Sequence, residues 1–153
     1  MSRSDFHGIT EQGKAAFKRL RDAEALLSEI DSDRWRRQKG RHARGAMYLA
    51  GYAIECKLKA IAMEIHRCRT LAQLASKLGA DERDIYTHGL ESLAKRLPLW
   101  GQLQRSTVWR DFASQVNQWR PSWRYDGSDW SNDRALSFMR AVRNVYSWLV
   151  NYS

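Results

Sequence analysis

The sequence predicts an all-α protein: a single up-and-down antiparallel helical bundle with short extra helices. Apolar residues recur at spacings of three and four along most of the chain, which is the period of an amphipathic helix. No segment shows the alternation of apolar and polar residues that is typical of a half-buried strand. No linker, repeat or low-complexity tract divides the 153 residues, and 43% of them are hydrophobic, so residues 1–153 are expected to form one domain.

The first two helices are predicted on either side of a charged connector, DSDRWRRQKG. Thr10 is the expected N-cap of the first helix, because its hydroxyl can accept a hydrogen bond from the first turn. The predicted apolar side of that helix consists of Phe17, Leu20, Leu27 and Ile30. The second helix is expected to run from about Arg41 to about His66.

The remaining helices are delimited by residues that begin or end helices. A short third helix, TLAQLASKLG, is expected to end at Gly79. A fourth, DERDIYTHGLESLAKRL, is capped near Thr87 and ends before Pro98. A fifth, WGQLQRSTVWRDFASQVNQW, is stopped by Pro121. The segment PSWRYDGSDWSND follows it, and we call this segment the aromatic loop. The last helix carries an apolar stripe of Leu136, Met139, Val142, Val145, Tyr146 and Leu149.

The composition narrows the class of protein. The formal net charge is +9, which predicts either contact with a nucleic acid or nucleotide, or a basic surface without a polyanionic partner. Cys56 and Cys68 lack the spacing of a zinc site or a disulfide framework, so we expect reduced thiols in a cytoplasmic protein. No metal or cofactor motif is present. Charged residues interrupt the most apolar stretch and the N-terminus lacks an apolar leader, so neither a membrane span nor a signal peptide is predicted.

The second helix, in RGAMYLAGYAIECKLKAIAMEI, presents three surfaces when residues are placed at about 100° intervals. Lys57 and Glu64 fall on a face that is expected to meet solvent. The apolar face consists of Met47, Ile54, Leu58, Ile61 and Ile65. Between them runs a strip of mixed character that consists of Arg44, Tyr48, Tyr52, Glu55, Lys59 and His66. This strip is either an ordinary boundary, where long side chains reach solvent, or a binding site.

Glu55 lies in the middle of this strip, and a buried carboxylate needs a partner. Our hypothesis is that it pairs with Arg124 of the aromatic loop, whose guanidinium can donate two parallel hydrogen bonds. One alternative is a pair with Lys59, four residues further along the helix. Another leaves Glu55 beside Arg44 and His66 to meet a ligand.

Three blocks of the sequence resemble HEPN-type proteins, which are small prokaryotic helical bundles. YLAGYAIECKLKA resembles their second-helix signature, THGLESLAKRL the His-x-Leu helix start that follows, and SWRYDGSDW the Trp-rich Arg-Tyr loop before the final helix. The resemblance extends from about Arg41 to the C-terminus. It implies an up-and-down bundle, often dimeric. Such domains act as ribonucleases in toxin–antitoxin and phage-defence systems, or as nucleotide-binding or partner modules beside a nucleotidyltransferase.

The catalytic motif of active HEPN ribonucleases, Arg-x(4–6)-His in a late helix, is incomplete here. Arg143 and Asn144 resemble its first half, but Trp148 and its neighbours replace the histidine. Arg83 and His88 have the required spacing, although they precede the fourth helix, where His88 can equally serve as a cap. Since histidine would exchange the proton during RNA cleavage, binding is favoured over catalysis.

Seven tryptophans are present, and several of them precede an arginine. Exposed aromatic rings beside cations can stack on bases and hold phosphates. Alternatively, the arginines cover ring faces inside the bundle. We expect this second arrangement for the helical Trp109, Trp119 and Trp148, whereas Trp123 and Trp130 in the loop are candidates for contact with a ligand or partner.

The predicted function is binding of RNA, single-stranded nucleic acid, a nucleotide, or a protein partner such as a nucleotidyltransferase or defence component. The expected context is prokaryotic defence or a toxin–antitoxin pair, and the resemblance allows a homodimer. One alternative is a metal-independent ribonuclease, and another is a purely structural interaction module. The predicted binding residues are Arg44, Tyr48, Tyr52, Glu55, Lys59, Trp123, Arg124 and Tyr125.

Overall fold

The structure is a computed structural model that describes residues 9–28, 39–40, 42–79, 89–128 and 130–152. Helices dominate these ranges and form a bundle, which confirms the all-α prediction. The elements in chain order are α1 (Ile9–Ser28), β1 (Lys39–Gly40), α2 (Ala43–Ile65), α3 (Leu71–Lys77), α4 (Leu90–Lys95), α5 (Trp100–Gln104), α6 (Trp109–Ser114), the 3₁₀ turns Val116–Gln118 and Pro121–Tyr125, β2 (Trp130–Ser131) and α7 (Asn132–Tyr152).

The helix α2 lies at the centre of the bundle. It packs against α1 on one side and α7 on the other, and it also contacts α3, α4 and the 3₁₀ turn Pro121–Tyr125. Small residues allow neighbouring backbones and aromatic rings to approach it closely. Those that are buried on α2 are Ala43, Ala46, Ala50, Gly51, Ala53, Ala60 and Ala62. The most apolar stretch of the sequence is therefore the core helix of the bundle.

The predicted buried side of the first helix was partly wrong. Phe17 is 59% exposed, and Thr10 lies within α1 rather than at its cap. Ile30 lies outside the described residues. The side that is buried consists of Ala16, Leu20, Ala23 and Leu27. Their spacing of four, three and four keeps them on one stripe, whereas Phe17 lies about 100° away from Ala16.

The predicted fifth helix was also wrong in one respect, because it is broken into α5, α6 and the turn Val116–Gln118. Ser106 stands at the first break. Its hydroxyl donates to the Leu103 carbonyl oxygen at 2.7 Å and accepts from the Val108 backbone N–H at 3.3 Å. A serine side chain that takes over backbone hydrogen bonds in this way competes with helix propagation.

The short third helix was predicted correctly. Thr70 is the N-cap of α3, and its hydroxyl accepts from the Gln73 backbone N–H at 3.2 Å. Gly79 follows the helix with a φ of +65°, in the left-handed region that glycine adopts without strain. The predicted cap of the fourth helix near Thr87 lies outside the described residues, and α4 ends before Pro98 as expected.

One element was not predicted from the sequence. Strands β1 and β2 pair antiparallel, with Lys39 opposite Ser131 and Gly40 opposite Trp130. This contact joins the segment before α2 to the segment before α7. Within the described ranges, no helix combines the length and apolarity that are needed to cross a bilayer.

Candidate functional site

A cavity of about 290 Å³ opens between α1, α2 and the segment that contains both Trp119 and the 3₁₀ turn Pro121–Tyr125. Four of its residues occupy successive turns of α2, on the strip that the sequence singled out. The residues that line the cavity are Gln12, Tyr48, Tyr52, Glu55, Lys59, Trp119, Pro121 and Arg124. Five of the eight predicted binding residues therefore lie together.

A buried ion pair forms the floor of the cavity. Lys59 Nζ donates to Glu55 Oε1 at 2.5 Å, and the two residues are only 3% and 5% exposed. Burial raises the pKa of the Glu55 carboxyl, while the neighbouring Lys59 and then Arg124 oppose that shift. The other oxygen of Glu55, Oε2, accepts no hydrogen bond from a residue in the described ranges.

The proposed pair between Glu55 and Arg124 was wrong. Among the ion pairs of the described residues, the carboxylate contacts Lys59, as the first alternative predicted. Arg124 is exposed at the mouth of the cavity and acts on Glu55 only through its electrostatic field. Lys59 lies on the same helix as Glu55, so their pairing avoids the entropic cost of ordering a loop. This difference explains why Glu55 pairs with Lys59 rather than with Arg124.

Arg44, rather than Glu55, attaches the aromatic loop to α2. Its Nη1 donates to the carbonyl oxygens of Trp123 at 2.8 Å and Arg124 at 3.3 Å. A charged donor on two backbone acceptors is a strong attachment. The second helix and the loop are therefore joined, but through the backbone of the loop rather than through its arginine side chain. Arg44 itself does not line the cavity.

Aromatic rings form one wall of the cavity. The rings of Tyr48 and Tyr52 lie 6.1 Å apart at 11°, and Tyr48 lies 6.0 Å from Trp119 at 25°. Burial raises the pKa of Tyr52 to about 12, and interactions with Cys56 and Glu55 add to the effect. Burial, and then Glu55, raise the pKa of the Cys56 thiol to about 11. Both groups therefore keep their protons near neutral pH.

The position of Trp119 depends on a glycine of α2. A Cβ atom on Gly51 would lie 2.0 Å from Trp119 Cδ1, so the indole ring occupies the space that any other residue would fill. Trp119 Nε1 donates to the Tyr48 carbonyl oxygen at 3.0 Å, and the residue is 1% exposed. The burial expected for Trp119 is confirmed, but its ring stacks on Tyr48 rather than on an arginine, and the residue follows the 3₁₀ turn Val116–Gln118 instead of lying on a helix.

Arg124 and Tyr125 form what we call the rim of the cavity. Tyr125 is 76% exposed, and the Arg124 guanidinium carbon lies 4.6 Å from the centre of its ring. Tyr125 and then Tyr48 raise the pKa of Arg124 through charge interactions and hydrogen bonds. The rim thus presents an exposed aromatic ring and a cation side by side.

Trp123 and Trp130 do not line the cavity. Their rings meet edge to face at 4.7 Å, and Trp123 also packs on Phe138 of α7 at 5.6 Å. The Arg134 guanidinium covers Trp130 at 4.6 Å. Both rings are half-buried and attach the loop to α7, so the arrangement resembles the cation–π alternative more than a ligand site.

The predicted catalytic candidates are not gathered at the cavity. Arg143 Nε lies 3.4 Å from Glu24 Oε1, and Asn144 Nδ2 donates to Asp111 Oδ2 at 2.9 Å. These contacts tie α7 to α1 and α6. Arg83 and His88 lie outside the described residues. Within the described ranges, no group of three His, Cys, Asp or Glu side chains could hold a metal ion.

Sequence reasoning missed three residues of the cavity, namely Gln12, Trp119 and Pro121, as site residues. Gln12 is only 8% exposed. It lies four residues before Ala16, on the buried stripe of α1, so a polar residue in an apolar stripe was the available signal. Trp119 and Pro121 come from a distant part of the chain, and no local pattern places them beside α2.

The cavity thus combines a buried ion pair, a buried amide and stacked aromatic rings below an exposed basic rim. Its function must be inferred from these groups, because comparison of the chain with protein-family models, with curated proteins and with solved structures finds no match.

Proposed function

We propose that this chain is an up-and-down, HEPN-like bundle that binds single-stranded RNA through the rim of the cavity. The observation that carries the proposal is Tyr125, which is 76% exposed and is stacked by Arg124 at the mouth of the cavity. The resemblance of the second helix and the aromatic loop favours a setting in prokaryotic defence or a toxin–antitoxin pair.

The rim has the two components that single-strand binding requires. An exposed aromatic face can stack on any base, and the neighbouring guanidinium can meet the adjacent phosphate. An exposed tyrosine ring that packs on no core residue contributes little to folding, whereas stacking on a base would bury it. The net charge of +9 supports the proposal because it attracts a polyanion over the whole surface.

Binding is favoured over cleavage because Glu55 is engaged in the ion pair with Lys59, and the phenol and thiol beside it keep their protons. Proton transfer near neutral pH needs a group that titrates there. The pKa values of Tyr52 and Cys56 are raised to about 12 and about 11. No histidine is among the residues that line the cavity in the described part of the chain. Arg143 and Asn144 are engaged in contacts between helices.

The proposal is tested by fluorescence anisotropy with a labelled single-stranded RNA at low salt. The double variant Arg124→Gln/Tyr125→Ala should bind at least about tenfold more weakly, since one stacked base and one phosphate contact are lost. The matched control is Phe17→Ala/Arg21→Gln. It removes another exposed ring and the arginine 5.9 Å above it, on α1.

The control pair should weaken binding by no more than about threefold, through loss of charge alone. Equal losses in the two double variants would show that the rim is not the binding surface. Absence of RNA binding by the unmodified protein at low salt would remove the proposal altogether. Cleavage of the RNA that survives in a chelator would instead support the ribonuclease alternative.

A further inference from the structure

We propose that the cavity takes one unpaired guanine of the bound strand, with the N–H edge of the base on Glu55 and its carbonyl oxygen on Gln12. The inference rests on the proposed RNA binding and adds base specificity to it. Two observations support the inference: the size of the cavity, and the hydrogen-bonding capacity that the buried polar groups of the cavity leave unused.

The size of the cavity limits its occupant. Binding sites for small molecules commonly have volumes of about 300–1,000 Å³. At about 290 Å³ the cavity lies at the lower end of this range and has room for a single planar base. Tyr48, Trp119 and Pro121 supply apolar wall on which a base can pack.

Two polar side chains in the cavity are more than nine-tenths buried and have capacity to spare. Glu55 Oε1 is taken by Lys59, but Oε2 accepts no hydrogen bond within the described part of the chain. The Gln12 amide likewise makes no hydrogen bond to any residue in the described ranges. Both side chains line the open cavity, so a ligand that enters it can use this spare hydrogen-bonding capacity.

The chemistry of the two groups selects among the bases. In its ion pair with Lys59, the Glu55 carboxylate only accepts hydrogen bonds. Guanine presents two neighbouring donors, N1–H and the N2 amino group, beside the O6 acceptor. The other bases each place an acceptor beside their donor on that edge, which a carboxylate repels. The Gln12 amide can donate to O6.

The rim and the cavity would then contact neighbouring nucleotides of one strand. Arg124 lies at the mouth of the cavity and is exposed, so it can meet the phosphate next to the inserted base. Tyr125 lies against Arg124 and can stack on the following base. Since extrusion of a base is easiest from an unpaired strand, the arrangement favours single-stranded RNA.

The test compares short adenosine strands that differ only at a central nucleotide, which is guanosine, inosine or adenosine. Inosine lacks the N2 amino group of guanine. The unmodified protein should bind the guanosine strand at least about tenfold more tightly than the adenosine strand, with inosine between them. Equal affinity for the three strands would overturn the inference while RNA binding itself stands. Failure to bind any of them would instead overturn the proposed function.

Variants assign the specificity to the cavity. Glu55→Gln should reduce the ratio of guanosine to adenosine affinity from at least about tenfold to near unity. Gln12→Leu, which leaves the ion pair intact, should reduce it about threefold and serves if the first variant does not fold. The control Phe17→Ala/Arg21→Gln should keep the ratio. A ratio unchanged in Gln12→Leu and in folded Glu55→Gln would contradict the inference.

Discussion

Glu55 and Lys59 place two opposite charges inside the core helix of the bundle. Removing both from water is costly, and their attraction roughly offsets that cost only while both are present. The pair is therefore poor evidence of stability but strong evidence of constraint, because neither residue can change alone without leaving a buried charge.

Lys59→Met should consequently lower the free energy of unfolding by about 3–5 kcal/mol, since it leaves the Glu55 carboxylate without its partner. The double variant Glu55→Gln/Lys59→Met should lose less than Lys59→Met alone. Urea denaturation of the four proteins in this cycle provides the measurement. Strictly additive losses would mean that the two side chains do not interact.

Tyr52 provides a pH-dependent prediction. Its pKa is raised from 10.0 to about 12, so the folded chain keeps the phenolic proton at pH values where the unfolded chain releases it. The corresponding stability is complete below pH 10.0 and is lost as the pH rises towards about 12. In a tyrosinate absorbance titration, Tyr52→Phe should remove a transition near pH 12. Loss of a transition near pH 10 instead would refute the assignment.

Gly51 and Gly13 should respond to the same substitution in opposite directions. Gly51→Ala places a Cβ atom 2.0 Å from buried Trp119, and overpacking of this kind costs about 1–3 kcal/mol or more. Gly13→Ala meets nothing within 4 Å inside α1 and should stabilise by about 0.5–1 kcal/mol. Thermal unfolding of both variants measures the contrast, and a neutral Gly51→Ala would show that the indole ring can move aside.

At the scale of elements, sequence patterns of a few residues predicted the helix ends that interactions over a few residues determine. Thr70 and Gly79 delimit α3 as expected, because a cap and a left-handed glycine act over a few residues. The break at Ser106 follows from the geometry of one hydroxyl, and helical periodicity does not reveal it. The pairing of β1 with β2 joins distant segments of two residues each, which are too short for any alternation to show.

In the candidate site, too, the residues that local spacing places together were predicted, and a contact that depends on a distant loop was not. Tyr48, Tyr52, Glu55 and Lys59 were predicted together because helical spacing alone puts them on one strip of α2. The partner of Glu55 was predicted wrongly because the choice between Lys59 and Arg124 depends on where a loop lies. The loop position in turn depends on Arg44, whose hydrogen bonds go to carbonyl oxygens that every residue carries.

Arg44 should control the order of the 3₁₀ turn Pro121–Tyr125. The backbone amide of Trp123 donates to the Arg120 carbonyl oxygen, and that of Asp126 to the Trp123 carbonyl oxygen. In Arg44→Ala both amides should exchange faster by about ten- to hundredfold, because charged hydrogen bonds of about 1.5–3 kcal/mol are lost. Hydrogen exchange of α7 should change much less. The control Lys95→Ala breaks an exposed pair with Glu91 and should leave the segment unchanged. Equal exchange in both variants would contradict the anchoring role.

At the scale of the whole molecule, hydrophobic period and composition sufficed to predict a helical bundle. On α2, buried small residues let neighbouring elements approach closely, and large buried side chains such as Met47, Ile54 and Leu58 fill the core between them. Charge is distributed in the opposite sense: in the part of the chain that the structure describes, the buried charges are Glu55 and Lys59, which cancel, and the other charged side chains lie outside the core. Folding and long-range attraction of a polyanion therefore depend on separate sets of residues.

RNA affinity should consequently depend strongly on ionic strength. The logarithm of the association constant should fall linearly with the logarithm of salt concentration, as phosphate contacts release counterions. Arg124→Gln should make this slope shallower by about one unit, whereas the buried substitution Gln12→Leu should leave it unchanged. Anisotropy titrations over a series of salt concentrations give the slopes. A flat dependence would show that the surface charge makes no phosphate contacts.

The close packing of Trp119 against Gly51 has a consequence for sequence evolution. The indole ring occupies the volume that a side chain at position 51 would need. A larger residue at position 51 therefore requires a compensating substitution at position 119. A homologue with alanine or a larger residue at 51 should carry a smaller residue at 119 and forgo the hydrogen bond to the Tyr48 carbonyl oxygen. A library randomised at both codons and selected for folding should return such compensated pairs. This covariation is a signature by which divergent members of the lineage could be identified.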